Sequence, residues 1–143
     1  MAVLYGAYTT PRSTQPVSQV DGSLQGGHVR VYREKITLAS QATTDTIVIA
    51  FPSNQETFLF GVLTTDTSLG TSTIAIGTAA NTAKYRAAAT FTPTQTPTLF
   101  SGAGTVAAMS SKLTIDETVF ITIAVAALPA SGTLIVDLYF AQT

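Results

Sequence analysis

The chain has few of the side chains with which proteins carry out chemistry. Its 143 residues include no cysteine, no tryptophan and a single histidine, and only 10% of them are charged. Without cysteine, disulfides and thiolate metal ligands are excluded. The one histidine, His28, follows two glycines, where a hinge or a solvated turn is the expected role. We therefore expect no catalytic triad built on histidine.

Acidic residues are also sparse, and their positions argue against a catalytic pair. A glycosidase-type site needs two carboxylates, whereas most of the eight acidic residues here fall in or beside predicted turns. Asp116 and Glu117 precede a predicted strand, where solvated acids are normal. Asp137 lies within a strand among apolar residues, and we expect it to face solvent or to pair with a basic strand.

The sequence also lacks recognisable sites for calcium and phosphate. Residues 65–68 offer one carboxylate and some hydroxyls, too few for calcium. Residues 102–104 lack the lysine and the following helix of a phosphate-binding loop. We therefore expect a protein that is not an enzyme and that uses no cofactor, no metal and no small-molecule substrate.

The charge balance argues against a nucleic-acid partner. Seven basic and eight acidic residues give a net charge of −1, whereas nucleic-acid binding usually requires a basic face. The densest basic group is Arg30, Arg33 and Lys35, all within one predicted strand. We interpret this group as a solvated face or a row of ion pairs.

A membrane partner is not expected either. The longest apolar run, residues 121–128, is far shorter than the ~20 residues that span a bilayer. Residues 1–14 show no basic segment followed by an apolar one, so no signal peptide is predicted.

The first 27 residues differ from the rest of the chain. They contain several Pro, Gly, Ser and Gln residues and show no sustained hydrophobic period, which predicts an extended N-terminal arm. Ordering such an arm costs on the order of 1–2 kcal/mol per residue, so we expect it to order along a large partner surface. The predicted organisation is thus an arm over 1–27 and one domain over 28–143.

From residue 28 onward the hydrophobic period is two, which predicts an all-β domain. Eight or nine short strands recur at spacings of roughly 8–12 residues, as in antiparallel sandwiches. Apolar residues change parity near 33–35, which predicts a bulge there, and segments 118–127 and 133–141 are predicted to form a hairpin. We favour a jelly roll of about eight strands over an immunoglobulin-type Greek key, since the Cys–Trp–Cys core of the latter is absent. The strand order cannot be derived from this pattern.

The hydrophobicity is high for a chain with so few charges. Apolar residues make up 45% of the sequence and the mean hydropathy is +0.34. Several predicted strands are apolar on both faces, so we expect part of the surface to be covered by other subunits.

Three segments resemble small virion proteins of tailed bacteriophages that decorate or cement the head. They are ITLASQATTDT (36–46), IAIGTAANTAKYR (74–86) and AALPASGTL (126–134), and the resemblance covers residues 29–141. The resemblance implies a β-rich domain, usually a homotrimer, that binds the major capsid protein on the capsid exterior after synthesis in the host cytoplasm.

Tyrosine and arginine are enriched at binding hot spots, which suggests which residues bind the capsid. We predict contacts through Tyr5, Tyr8 and Arg12 of the arm, together with Arg30 and Arg33. The main alternative is a trimeric tail-fibre or receptor-binding β-module that recognises a host surface glycan. A head-completion protein and a small hydrolase on a β-scaffold are further alternatives.

Overall fold

A computed structural model describes residues 28–101 and 111–142 of the chain. The predicted arm, residues 1–27, lies outside the described residues, and so do residues 102–110 and 143. The described residues form eight strands and no helix. The strands are β1 (His28–Thr37), β2 (Thr46–Ala50), β3 (Thr57–Thr65), β4 (Thr73–Gly77), β5 (Arg86–Thr90), β6 (Thr98–Phe100), β7 (Val119–Ala124) and β8 (Thr133–Gln142).

The strands form two four-stranded antiparallel sheets that pack face to face. The first sheet has the order β1-β8-β3-β6 and the second has the order β2-β7-β4-β5. Strand β1 pairs with β8, β2 with β7, β3 with β6 and β4 with β5, as when a long antiparallel ribbon is folded in half and rolled up. This is the jelly-roll order, so the predicted fold class is confirmed.

The core lies between the inner faces of the two sheets, and alternate residues of the central strands fill it. In β8 the inward residues are Leu134, Val136, Leu138 and Phe140, all essentially inaccessible to solvent. In β7 the buried residues also alternate with partly exposed ones. Because a strand places successive side chains on opposite faces, this alternation follows directly from the period of two.

The predicted hairpin over 118–127 and 133–141 is wrong. Both segments contain a strand, but β7 pairs with β2 and β4 whereas β8 pairs with β1 and β3. The connection over 125–132 therefore crosses from the second sheet to the first. Two alternating strands joined by a turn satisfy either arrangement, and eight residues are enough to cover the ~10 Å between packed sheets.

The predicted bulge near 33–35 is also wrong. Strand β1 pairs with β8 over ten consecutive residues without a shift of register. The change of parity arises because Val29 and Val31 point outward and are 57% and 49% exposed, whereas Tyr32 and Ile36 point inward. Register shifts occur instead in the pairings of β2 with β7, β3 with β8 and β4 with β5.

None of the described residues belongs to a helix that is long and apolar enough to cross a membrane.

Candidate interaction surfaces

The outward side of the first sheet carries a bidentate ion pair. The Nε and Nη2 atoms of Arg33 donate to the two carboxylate oxygens of Asp137 at 2.6 and 2.8 Å. Asp137 is only 5% exposed although it points away from the core. The two residues meet because they are directly paired across β1 and β8, and the hydrogen bonds from Arg33 to Asp137 raise the pKa of the guanidinium. The prediction that Asp137 pairs with a basic strand is thus confirmed.

Arg30 lies in a second polar cluster, at the end of the sandwich where β1 begins. Its Nη1 donates to Oε1 of Glu56 at 2.6 Å. The Tyr32 hydroxyl approaches both oxygens of Glu56, at 3.1 and 2.9 Å. Burial, followed by the hydrogen bond to Glu56, raises the pKa of Tyr32 to about 12. Arg30 and Arg33 therefore do not form one basic patch, because they point to opposite faces of β1 and each binds a carboxylate.

A third cluster joins Glu117 to the segment before β5. Lys84 Nζ and the Tyr85 hydroxyl each donate to one oxygen of the Glu117 carboxylate. Burial and this hydrogen bond raise the pKa of Tyr85. The expectation that Glu117 is a solvated acid is wrong, because its side chain is largely covered.

Glu56 and Glu117 each precede a strand and each accept from one cation and one phenol. This arrangement satisfies both buried carboxylates and ties together chain segments that are 24 to 33 residues apart. These hydrogen bonds and ion pairs hold the ends of the strands in place. No local sequence signal reveals these partners, because they come together only across strands. Among residues 28–101 and 111–142, no three His, Cys, Asp or Glu side chains are grouped so as to hold a metal.

Beside the ion pair of Arg33 and Asp137, the outward side of the first sheet carries a group of apolar residues, which we call the apolar face. Direct pairing places Val31 beside Tyr139, Tyr139 beside Phe60, and Val62 beside Leu99. The Phe60 and Tyr139 rings stack with centroids 4.5 Å apart. The apolar face comprises Val29, Val31, Phe60, Val62, Leu99 and Tyr139 and adjoins the ion pair of Arg33 and Asp137.

A groove of about 330 Å³ lies on the other side of the molecule, at the end where β7 begins. Ile115, 66% exposed, lines it. Two acids lie along the groove: Asp116 accepts a hydrogen bond from the backbone N–H of Asn54 at 2.8 Å, and Glu117 accepts hydrogen bonds from Lys84 and Tyr85. Its lining residues are Thr78, Ala79, Ala80, Ile115, Asp116, Glu117, Thr118 and Phe120.

The remaining predicted contact residues, Tyr5, Tyr8 and Arg12, lie outside the described residues. Tyr85 is part of the core, packed against Phe58 and Phe140. Sequence reasoning missed Phe60 and Leu99 as surface residues, because an outward aromatic or leucine in a strand has the same local pattern as an inward one.

Comparisons with known proteins relate this fold to phage capsids. No family model and no curated protein matches the sequence. A chain of the cyanophage Pam1 capsid asymmetric unit is similar in structure, with a TM-score of 0.66 and 18% identity over 82% of this chain and 86% of that chain. A chain of the capsid of Ralstonia phage GP4 has a TM-score of 0.61 and 19% identity over the same shares. At these identities the likeness shows the fold, and the resemblance to phage head proteins is confirmed at that level.

Proposed function

We propose that this protein is a structural component of a phage virion that decorates and stabilises the outer surface of the capsid. The observation that carries the proposal is the jelly roll it shares, over 82% of its length, with a chain of the cyanophage Pam1 capsid asymmetric unit. The partner is the major capsid protein, and the protein acts as a homotrimer. Three weak contacts acting together bind more tightly than one, because the second and third are intramolecular.

A non-enzymatic role agrees with the polar clusters. The carboxylates of Glu56, Glu117 and Asp137 each form an ion pair with a basic side chain of the same chain. A general acid or base must be able to reach a substrate proton, and these three carboxylates already accept hydrogen bonds. This arrangement supports a protein that acts through its contacts with partners and not through catalysis.

Imaging of the intact particle tests the location of the protein. The phage that encodes it is examined by electron cryomicroscopy, and the chain is traced in the density. We expect many copies distributed over the outside of the head. A few copies at the tail, with binding on a glycan array, would favour the receptor-binding alternative, and copies at one vertex would favour head completion.

Binding to purified heads that lack the protein tests the role of the arm. The full-length chain carrying Tyr5→Ala, Tyr8→Ala and Arg12→Ala is compared with the unaltered chain, and a version starting at residue 28 is measured in parallel. We expect the triple variant to bind weakly and the shortened version to fold without binding.

The matched control changes three polar residues of the same arm, Gln15→Ala, Ser18→Ala and Gln19→Ala, and should bind normally. If the shortened version still saturates the heads, the arm does not contribute. Sedimentation tests the trimer, and a monomer at micromolar concentration would contradict it.

A further inference from the structure

We infer that the apolar face, together with Arg33 at its edge, is a docking surface for an apolar patch of a coat subunit that carries an exposed carboxylate. The inference rests on the proposed function and adds which side of the sandwich meets the capsid and what chemistry it recognises. It assigns to the sheet a contact separate from that of the arm.

The hydrogen bonds of Arg33 leave part of its guanidinium available. Its Nε and Nη2 atoms bind Asp137, and Nη1 bonds to none of the described residues. The Arg33 side chain is 67% exposed. The planar guanidinium can therefore bind Asp137 along one edge and present Nη1 to an acceptor on a partner.

Asp137 pre-organises the Arg33 side chain for binding. A free arginine side chain loses rotamer freedom when it binds, and this loss weakens association. Here the bidentate pair already fixes the guanidinium before any partner arrives. Asp137 is thus a positioning residue, since it is too deeply covered to meet the partner itself.

The residues around Arg33 have the composition of a binding surface. Val29, Val31 and Leu99 are each about half exposed or more, and they adjoin the stacked rings of Phe60 and Tyr139. An exposed apolar patch that contains aromatic rings and borders an arginine is typical of an interface.

The charges of the face favour a coat subunit over a second copy of this chain. Lys35 lies on the same side of β1 as Arg33 and makes no ion pair with a described residue. The acid paired with Arg33, Asp137, is already neutralised and covered. If two copies met through this face, Arg33 and Lys35 of both copies would lie in one interface, and the face offers no free carboxylate to neutralise them. A partner that supplies carboxylates therefore fits this face better than a second copy does.

Binding of full-length variants to purified heads lacking the protein tests the inference. Val31→Asp places an acid in the apolar face, and Arg33→Lys keeps the positive charge but removes the planar guanidinium group. We expect each to weaken binding by about tenfold or more, as at interface hot spots. Asp137→Asn should weaken binding by a smaller factor, and its association should depend more steeply on salt than the unaltered protein's, because the charge of Arg33 is no longer compensated.

The matched control is Val125→Asp, the same substitution at a residue that is 76% exposed and follows β7, outside the apolar face. We expect it to bind within about twofold of the unaltered chain. Thermal melting of each variant checks that the domain is folded.

The outcomes separate the inference from the proposed function. If the unaltered protein fails to bind heads, the proposed function is overturned. If the unaltered protein binds and Val31→Asp and Arg33→Lys bind equally well, only the inference is overturned. If Val31→Asp instead converts a trimer into monomers, the occupant of the face is a second copy and the inference is also overturned.

Discussion

The two faces of β8 differ in how completely they are covered. The inward residues Leu134, Val136, Leu138 and Phe140 are sealed by the second sheet, whereas the outward residues contact, among the described parts of the chain, neighbours in their own sheet. The Phe140 ring contacts the rings of Tyr32, Phe58 and Tyr85, with centroids 5.4 to 5.8 Å apart. One face of the strand thus stabilises the fold, and the other leaves apolar side chains and an ion pair available for recognition.

The largest expected effect is on the inward face. Phe140→Ala should lower the free energy of unfolding by about 3–5 kcal/mol, because it removes buried apolar area and leaves a cavity among three rings. Urea denaturation measures this loss. Phe140→Leu, which keeps most of the volume, is the control and should cost clearly less. A loss below about 1 kcal/mol for Phe140→Ala would contradict the packing described here.

A smaller effect is expected at Gly61, also on the inward face of the first sheet. A Cβ atom at this position would overlap the ring of Phe100 in the neighbouring strand β6. Gly61→Ala should therefore destabilise the domain by about 1–3 kcal/mol, as overpacking usually does. Combining it with Phe100→Leu should recover part of the loss. If the single variant is as stable as the unaltered chain, the close approach of Phe100 is wrong.

The ion pair on the outward face should respond asymmetrically to removal of its two members. Arg33→Ala leaves the covered carboxylate of Asp137 without its cation, whereas Asp137→Asn leaves an exposed guanidinium that water can solvate. We expect Arg33→Ala to lower the melting temperature more than Asp137→Asn, and both less than Phe140→Ala. Equal shifts for the two members would show that Asp137 is more hydrated than its position indicates.

Alkaline pH should act through the two tyrosines whose pKa the fold raises, Tyr32 and Tyr85. The pKa of Tyr32 in the fold is about 12, above its ordinary value of 10.0. A tyrosine whose pKa is higher in the folded state than in the unfolded state contributes its full stabilisation at pH values below the unfolded pKa. This contribution is lost as the pH rises through the folded pKa. The free energy of unfolding should therefore decline between about pH 10 and pH 12, and this decline should be shallower in Tyr32→Phe. Tyrosinate absorbance should show late titration in the unaltered chain, and the late step should be smaller in the variant, which keeps the raised pKa of Tyr85.

The strand segments could be predicted from the sequence, but their partners could not. The alternation in β7 and β8 located both strands, since period two requires only local information. Whether they pair with each other depended on strands far along the chain, and the structure places them in different sheets. Likewise, pairing with a basic strand was one of the two outcomes predicted for Asp137, whereas the burial of the Glu117 side chain was not predicted.

For the candidate surfaces too, the sequence indicates individual residues but not the residues that they contact. Arg33 could be named from the charge pattern of β1, but its pairing with Asp137 required the register of β1 on β8, across 104 residues of sequence. Phe60 and Leu99 were not recognised as part of a surface, because hydrophobicity alone does not tell an outward residue from an inward one. The contacts proposed for Tyr5, Tyr8 and Arg12 stay predictions.

The sequence by itself determined that the chain forms short alternating strands with few reactive groups, because backbone period and composition are local properties. Only the tertiary structure decided which strands are neighbours, which apolar residues remain outside, and which charges meet. Those outcomes depend on the long-range register of eight strands, where a shift of one residue would exchange the two faces of a strand.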